Sequence, residues 1–118
     1  MTEIVHSEMV RALAKDGQKI LDDMTSSTAH NLHMAVGVSG EAGELLDAVK
    51  KQAIYNKPID IENVIEELGD IEFYLEGLRQ SLNITRQETI DANISKLGKR
   101  YSSGTFSNEQ AQARADKT

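Results

Sequence analysis

Four carboxylates stand where two helices should bury apolar atoms. Glu41 and Glu44 lie in the stretch Gly37-Val-Ser-Gly-Glu-Ala-Gly-Glu-Leu-Leu-Asp-Ala-Val-Lys50, and Glu67 and Asp70 lie between Ile61 and Leu82. At about 100° per residue, Met34, Leu45 and Ala48 fall close beside Glu41. Val38 lies a little further round, and Glu44 sits one turn away on the flank of the same stripe. In the second stretch the stripe is Val64, Leu68, Ile71, Leu75, Leu78 and Leu82, with Glu67 on its shoulder and Asp70 one turn along. Carboxylates are rarely buried unless paired, protonated or bound to a metal. A single E-x-x-E usually decorates a solvated helix face. Two acid pairs, each bordering a core stripe, instead predict facing helices that enclose a four-carboxylate cage.

Such a cage offers only hard oxygen ligands. The chain has no Cys, so thiolate metal sites are excluded and Mg²⁺, with Mn²⁺ as the alternative, is favoured over zinc. Di-iron sites in helical bundles usually add an E-x-x-H, and none of these acids has a His at that spacing. One Mg²⁺ leaves four carboxylates anionic, and two roughly balance them. Acidic metal sites typically neutralise phosphate oxygens and activate a water. A triphosphate also needs cations, and Asn93, Lys96 and Arg100 recur at spacings that put them on one side of a later helix. The competing reading of those three is an ordinary basic face whose stems cover the core.

The elements that must position these residues are helices. Thr2 is a candidate cap for a first helix running to about Met24, with Val5, Met9, Leu13, Ile20 and Met24 as its stripe and Gly17 weakening its middle. The polar break Thr25-Ser-Ser-Thr28 supplies caps for a second helix from about Ala29 to Ala53. Gly37, Gly40 and Gly43 inside it each cost about 0.5–1 kcal/mol against Ala. That cost predicts the close approach of another helix or of a ligand. Asn56-Lys-Pro58 marks a loop, Asp60 caps a third helix from Ile61 to about Leu82, and Asn83-Ile84 turns. Thr85-Arg-Gln-Glu88 reads as a capping box opening a fourth helix to about Tyr101, striped by Ile90, Ile94, Leu97 and Tyr101. A polar tail, about residues 105–118, carries one short helical piece near residues 108–115. The expectation is one all-α domain over residues 1–118, with four main helices in an antiparallel bundle-like arrangement.

Composition agrees with that class. Hydrophobic content is 39% and aromatic content 4%, with no Trp, so the core must be aliphatic. The formal net charge of -6 argues against a nucleic-acid polymer as partner. No 18-residue apolar run and no signal-peptide pattern is present, so a cytoplasmic protein without membrane contact is expected.

Gly-Glu41-Ala-Gly-Glu44-Leu-Leu-Asp47, followed by Glu66-Glu67-Leu-Gly-Asp70-Ile-Glu-Phe-Tyr, resembles the MazG-like all-α nucleoside triphosphate pyrophosphohydrolases. Their signature is E-x-x-E, a variable gap, then E-x-x-D. The segment Asn93-Ile-Ser-Lys96-Leu-Gly-Lys-Arg100-Tyr101 is similar to the family's helix after the metal site. The similarity covers about residues 30–106, and Gly104-Thr-Phe106-Ser with Arg114 resembles the ending of short, single-domain members. The resemblance implies hydrolysis of a nucleoside triphosphate, ribo- or deoxyribo-, to the monophosphate and pyrophosphate with Mg²⁺. It implies Glu41, Glu44, Glu67 and Asp70 as metal ligands, with Glu41 or Glu44 orienting the attacking water. Asn93, Lys96, Arg100 and Tyr101 would contact phosphate or ribose, and His30, Asn31 and His33 would meet base or sugar. Many relatives carry a further Glu immediately before the first motif Glu, where this chain has Gly40. The alternatives are a phosphoribosyl-ATP pyrophosphohydrolase-like enzyme, a metal-binding sensor without turnover, and a non-catalytic helical interaction module.

The third helix is apolar on several sides, since Ile61 and Ile65 point away from Glu67 and Phe73 points to yet another side. A helix of that kind needs partners on several sides. A homo-oligomer built from dimers is therefore expected, a tetramer ahead of a dimer, and short members of the resembled family assemble in the same way.

Overall fold

Every α-helix after the first starts at a side chain that accepts an orphan backbone N–H group. Residues 3–117 are described by the computed structural model. Among them the elements are α1 (His6–Leu13), α2 (Gly17–Asp23), α3 (Ser26–Ala53), α4 (Ile61–Leu82), α5 (Arg86–Arg100), α6 (Asn108–Ala113) and a 3₁₀ turn (Ala115–Lys117), with no strand. Thr25, Asp60, Thr85 and Ser107 accept from the N–H groups of Thr28, Asn63, Glu88 and Gln110, respectively. Thr28 Oγ1 also accepts from the Thr25 N–H at 2.9 Å, closing a reciprocal capping box that starts α3 at Ser26. At the far end of α4, Asn83 takes the left-handed conformation (φ 58°, ψ 41°) and Ile84 N–H returns to the Arg79 carbonyl at 2.9 Å.

The expected first helix is two helices. Ala14 and Asp16 are extended, and the Asp16 carboxylate accepts from the Gln18 N–H at 3.2 Å. An Asp followed by Gly competes as a cap with continuation of the helix, and here the cap wins. The expected cap at Thr2 lies outside the described residues.

The long helices α3 and α4 form an antiparallel hairpin. His30 Nε2–H donates to the Gly77 carbonyl at 3.3 Å, and Ser81 Oγ donates to Asn31 Oδ1 at one end of the pair. Moving toward the loop, Gly37 meets Tyr74, and Glu41 meets Glu67 and Asp70. Two of the glycines explain the close approach. A Cβ on Gly37 would overlap the Tyr74 ring, and one on Gly77 would overlap Met34 Sδ. The helix-packing reading therefore holds at these two positions, whereas a Cβ at Gly40, Gly43 or Gly69 would meet nothing within 4 Å among the described residues.

The hairpin is the centre of packing within one chain. The extended packing of α5 is with α6 and the 3₁₀ turn, not with α3 or α4. Met34 and Ala48 are the buried apolar residues among those described, and Ile65, Phe73 and Ile94 are each more than 60% exposed. The radius of gyration is 20.3 Å, against about 13–14 Å for a compact domain of this length. The stripes expected from periodicity thus exist, but one chain leaves much of them in solvent.

Candidate metal centre

The α3–α4 hairpin brings acids from both helices to one point. Met34 and Ala48 bury the shared seam on either side of Glu41 along α3, and the Gly37–Tyr74 contact fixes how far the two helices slide past each other. With that register set, one carboxylate oxygen each from Glu41, Glu67 and Asp70 lies within 4.8 Å of the other two. Glu41 and Glu67 are half-buried and Asp70 is exposed, so the cluster sits at the edge of the seam and opens to solvent.

The electrostatics centre on Glu67. Its Oε2 is buried and has no hydrogen-bond donor among the described residues. Its pKa is pushed up from 4.5 to about 7, first by the hydrogen bond it makes with Glu41, then by burial, and then by the charges of Glu41, Glu44 and Asp70. A carboxyl raised in this way, with two further acids beside it, forms a place where a cation replaces its proton at a gain. The orphaned oxygen and the all-oxygen donor set fit a hard divalent cation. Glu44 stands outside the trio. It is exposed on the next turn of α3, yet close enough for its charge to raise Glu67.

The residues expected around a nucleotide are placed less closely. His33 packs edge-on against Tyr74, with ring centroids 6.0 Å apart, on the same hairpin as the acids. Asn93 and Lys96 lie exposed on α5, which has no extended packing on the acidic hairpin within one chain. Arg100 is held by Asp116 through Nε–Oδ1 at 2.9 Å and Nη2–Oδ2 at 3.4 Å. Tyr101 ends α5 and stacks at a tilt on Phe106, with centroids 5.6 Å apart. The sequence reading missed two participants. Asp116 sits in a polar tail whose folding back depends on Arg114 taking a left-handed φ of 49°, for which the residue type gives no signal. Tyr74 is the second, because its partner Gly37 is identified only by the helix register.

No helix among the described residues is long and apolar enough to cross a membrane. No curated protein and no solved structure shows a significant match to the chain. The family model of the MazG nucleotide pyrophosphohydrolase domain matches residues 29–105, which contain both acid pairs, all but the first turn of α3, and the whole of α4 and α5. With more than half of its 118 residues covered by that match, the chain belongs to the MazG nucleotide pyrophosphohydrolase family.

Proposed function

We propose that this chain is a divalent-cation-dependent nucleotide pyrophosphohydrolase that converts a nucleoside triphosphate, ribo- or deoxyribo-, to the monophosphate and pyrophosphate. The observation that carries the reading is the convergence of one carboxylate oxygen each from Glu41, Glu67 and Asp70, in a chain of this family. Glu41, Glu67 and Asp70 would hold Mg²⁺, or Mn²⁺ in its place. When bound, the cation neutralises phosphate oxygens and makes water more acidic.

The remaining steps belong to the protein. Glu44 is exposed beside the trio and takes the proton from the attacking water, while Glu41 helps orient that water. The water oxygen bonds to phosphorus, and the bridging P–O link between the α- and β-phosphates breaks. Pyrophosphate leaves with the bond's electron pair. Lys96 and Arg100 offset the charge on that leaving group, Asn93 and Tyr101 line the path to it, and His33 meets the base or sugar.

Because α5 has no extended packing on its own hairpin, these cations reach the site from a second copy of the chain. The reading is supported by the 9597 Å² of accessible surface on one chain, against about 6300 Å² for a compact monomer of 13.0 kDa. A homo-oligomer built from dimers, tetramer ahead of dimer, removes such an excess.

A nucleotide panel assayed for pyrophosphate release, with and without Mg²⁺, tests the proposal. Release from at least one NTP or dNTP that stops on chelation is expected. Metal binding with no release from any nucleotide would make the chain a sensor, and full turnover after exhaustive chelation would remove the acids from the mechanism.

A further inference from the structure

The tail after α5 is built onto that helix by specific contacts. Tyr101 meets Phe106, Ser103 Oγ donates to Gln110 Oε1 at 3.3 Å, and α6 is capped at Ser107. After the left-handed Arg114, the 3₁₀ turn places Asp116 on Arg100. The Asp116 side chain is 4% exposed and that of Arg100 17%. A carboxylate so enclosed, gripping a guanidinium side-on, is a fixed part of the structure, and a mobile surface pair would not show that burial.

The grip leaves the guanidinium usable. Arginine carries five N–H donors in a rigid fork. Asp116 accepts from Nε and Nη2 and the Tyr101 hydroxyl is a further hydrogen-bond partner, so the fork has more N–H donors than these partners engage. Beside this pair lies a concavity of about 300 Å³ lined by Ala92, Ser95, Lys96, Lys99, Asp116 and Lys117. Among the described residues none of these three lysines is in an ion pair. A chain of net charge -6 thus gathers three ammonium groups around one recess, next to an arginine already oriented.

We propose that the C-terminal turn completes a phosphate-chain site on α5: Asp116 is a positioning residue that fixes the Arg100 fork, and Lys117 joins Lys96 and Lys99 around the adjoining recess. The inference rests on the pyrophosphohydrolase reading for the identity of the anion, the phosphate chain of the nucleotide. It adds Asp116, Lys117 and Lys99 to the residues that recognise it.

The test is calorimetric titration of inorganic tripolyphosphate into the full chain at low salt, in chelator. It needs neither metal nor turnover, so it decides this proposal whether or not the chain hydrolyses nucleotides. Asp116→Ala should weaken binding about three- to tenfold, the size of coupling expected between directly bonded side chains, with unchanged helicity. In an Arg100→Ala background the same change should have no further effect, and Asp116→Glu should recover part of the loss. Lys117→Ala keeps the Asp116–Arg100 pair and should weaken binding about two- to fivefold, with a shallower salt dependence. Equal or tighter binding by Asp116→Ala would overturn the positioning role, since the carboxylate would then only repel the anion. Unchanged affinity and salt dependence in Lys117→Ala would remove the turn from the recess.

Discussion

Glu67 on α4 meets Glu41 on α3, and their hydrogen bond, followed by burial and the charges of Glu41, Glu44 and Asp70, pushes the Glu67 carboxyl up to about 7. The folded chain therefore binds more protons than the unfolded chain between about 4.5 and about 7. Stability without metal is highest at or below the lower value and falls as pH rises through the window. Thermal melts in chelator should show that decline, and Glu67→Gln should flatten it. A divalent cation should reverse the decline near pH 7, where it takes the place of the proton. Melting temperatures that do not change between pH 4.5 and 7, in parent and variant alike, would dissolve the Glu41–Glu67 contact.

The trio and its outlier separate binding from chemistry. Glu67→Gln removes a ligand from the point of convergence, so cation affinity and turnover should fall together, turnover by about a hundredfold or more. Glu44 lies outside that point. Glu44→Gln should leave cation affinity within about threefold while reducing kcat by about 10²–10⁴-fold, the usual worth of a general base. Calorimetry with Mn²⁺ beside a pyrophosphate-release assay reads both quantities. Loss of metal binding in Glu44→Gln would move that residue into the ligand set.

The glycines give a prediction with opposite signs on one helix. Gly37→Ala drives a methyl into the Tyr74 ring and should destabilise by about 1–3 kcal/mol. Gly43→Ala meets open space and should stabilise by about 0.5–1 kcal/mol, the ordinary gain of Ala in a helix interior. Denaturant midpoints of the two variants, at fixed protein concentration, check the pair. A stabilising Gly37→Ala would mean that Tyr74 moves aside freely and does not set the helix register.

The local signals were the most legible part of the sequence. Asp60 and Asn83 bracket α4 at Ile61–Leu82 as read, because a cap and a left-handed Asn act within a few residues. The two acid pairs were legible because they break apolar periodicity. Their arrangement was not fully so. Spacing at i, i+3 leaves two side chains roughly 60° apart on a helix, which admits four ligands or three, and the Gly37–Tyr74 register brings Glu41 but not Glu44 into the trio. The same limit hid the break at Asp16, where a cap and a continuing helix differ by about 1 kcal/mol, and the fold-back that carries Asp116 to Arg100.

The apolar surface left open by one chain needs a cover. Ile61 and Ile65 are 58% and 62% exposed on one side of α4, and Phe73 is 66% exposed on another. The stripe of α5 is likewise open, with Ile94 at 64%. Exposed apolar patches beyond a few hundred Å² are rare on monomers. Light scattering coupled to size exclusion should give an even multiple of 13.0 kDa at micromolar concentration. Ile65→Asp puts a charge in that surface without touching the acid trio, and should lower the mass and the turnover together if α5 of one copy serves the hairpin of another. Mixing an inactive Glu67→Gln chain with an inactive Lys96→Ala chain gives a sharper readout. A shared site restores part of the activity in the mixture, because some sites then combine an intact hairpin with an intact α5. A strictly monomeric and fully active chain would overturn the assembly, and a mixture without recovery would confine each site to one chain.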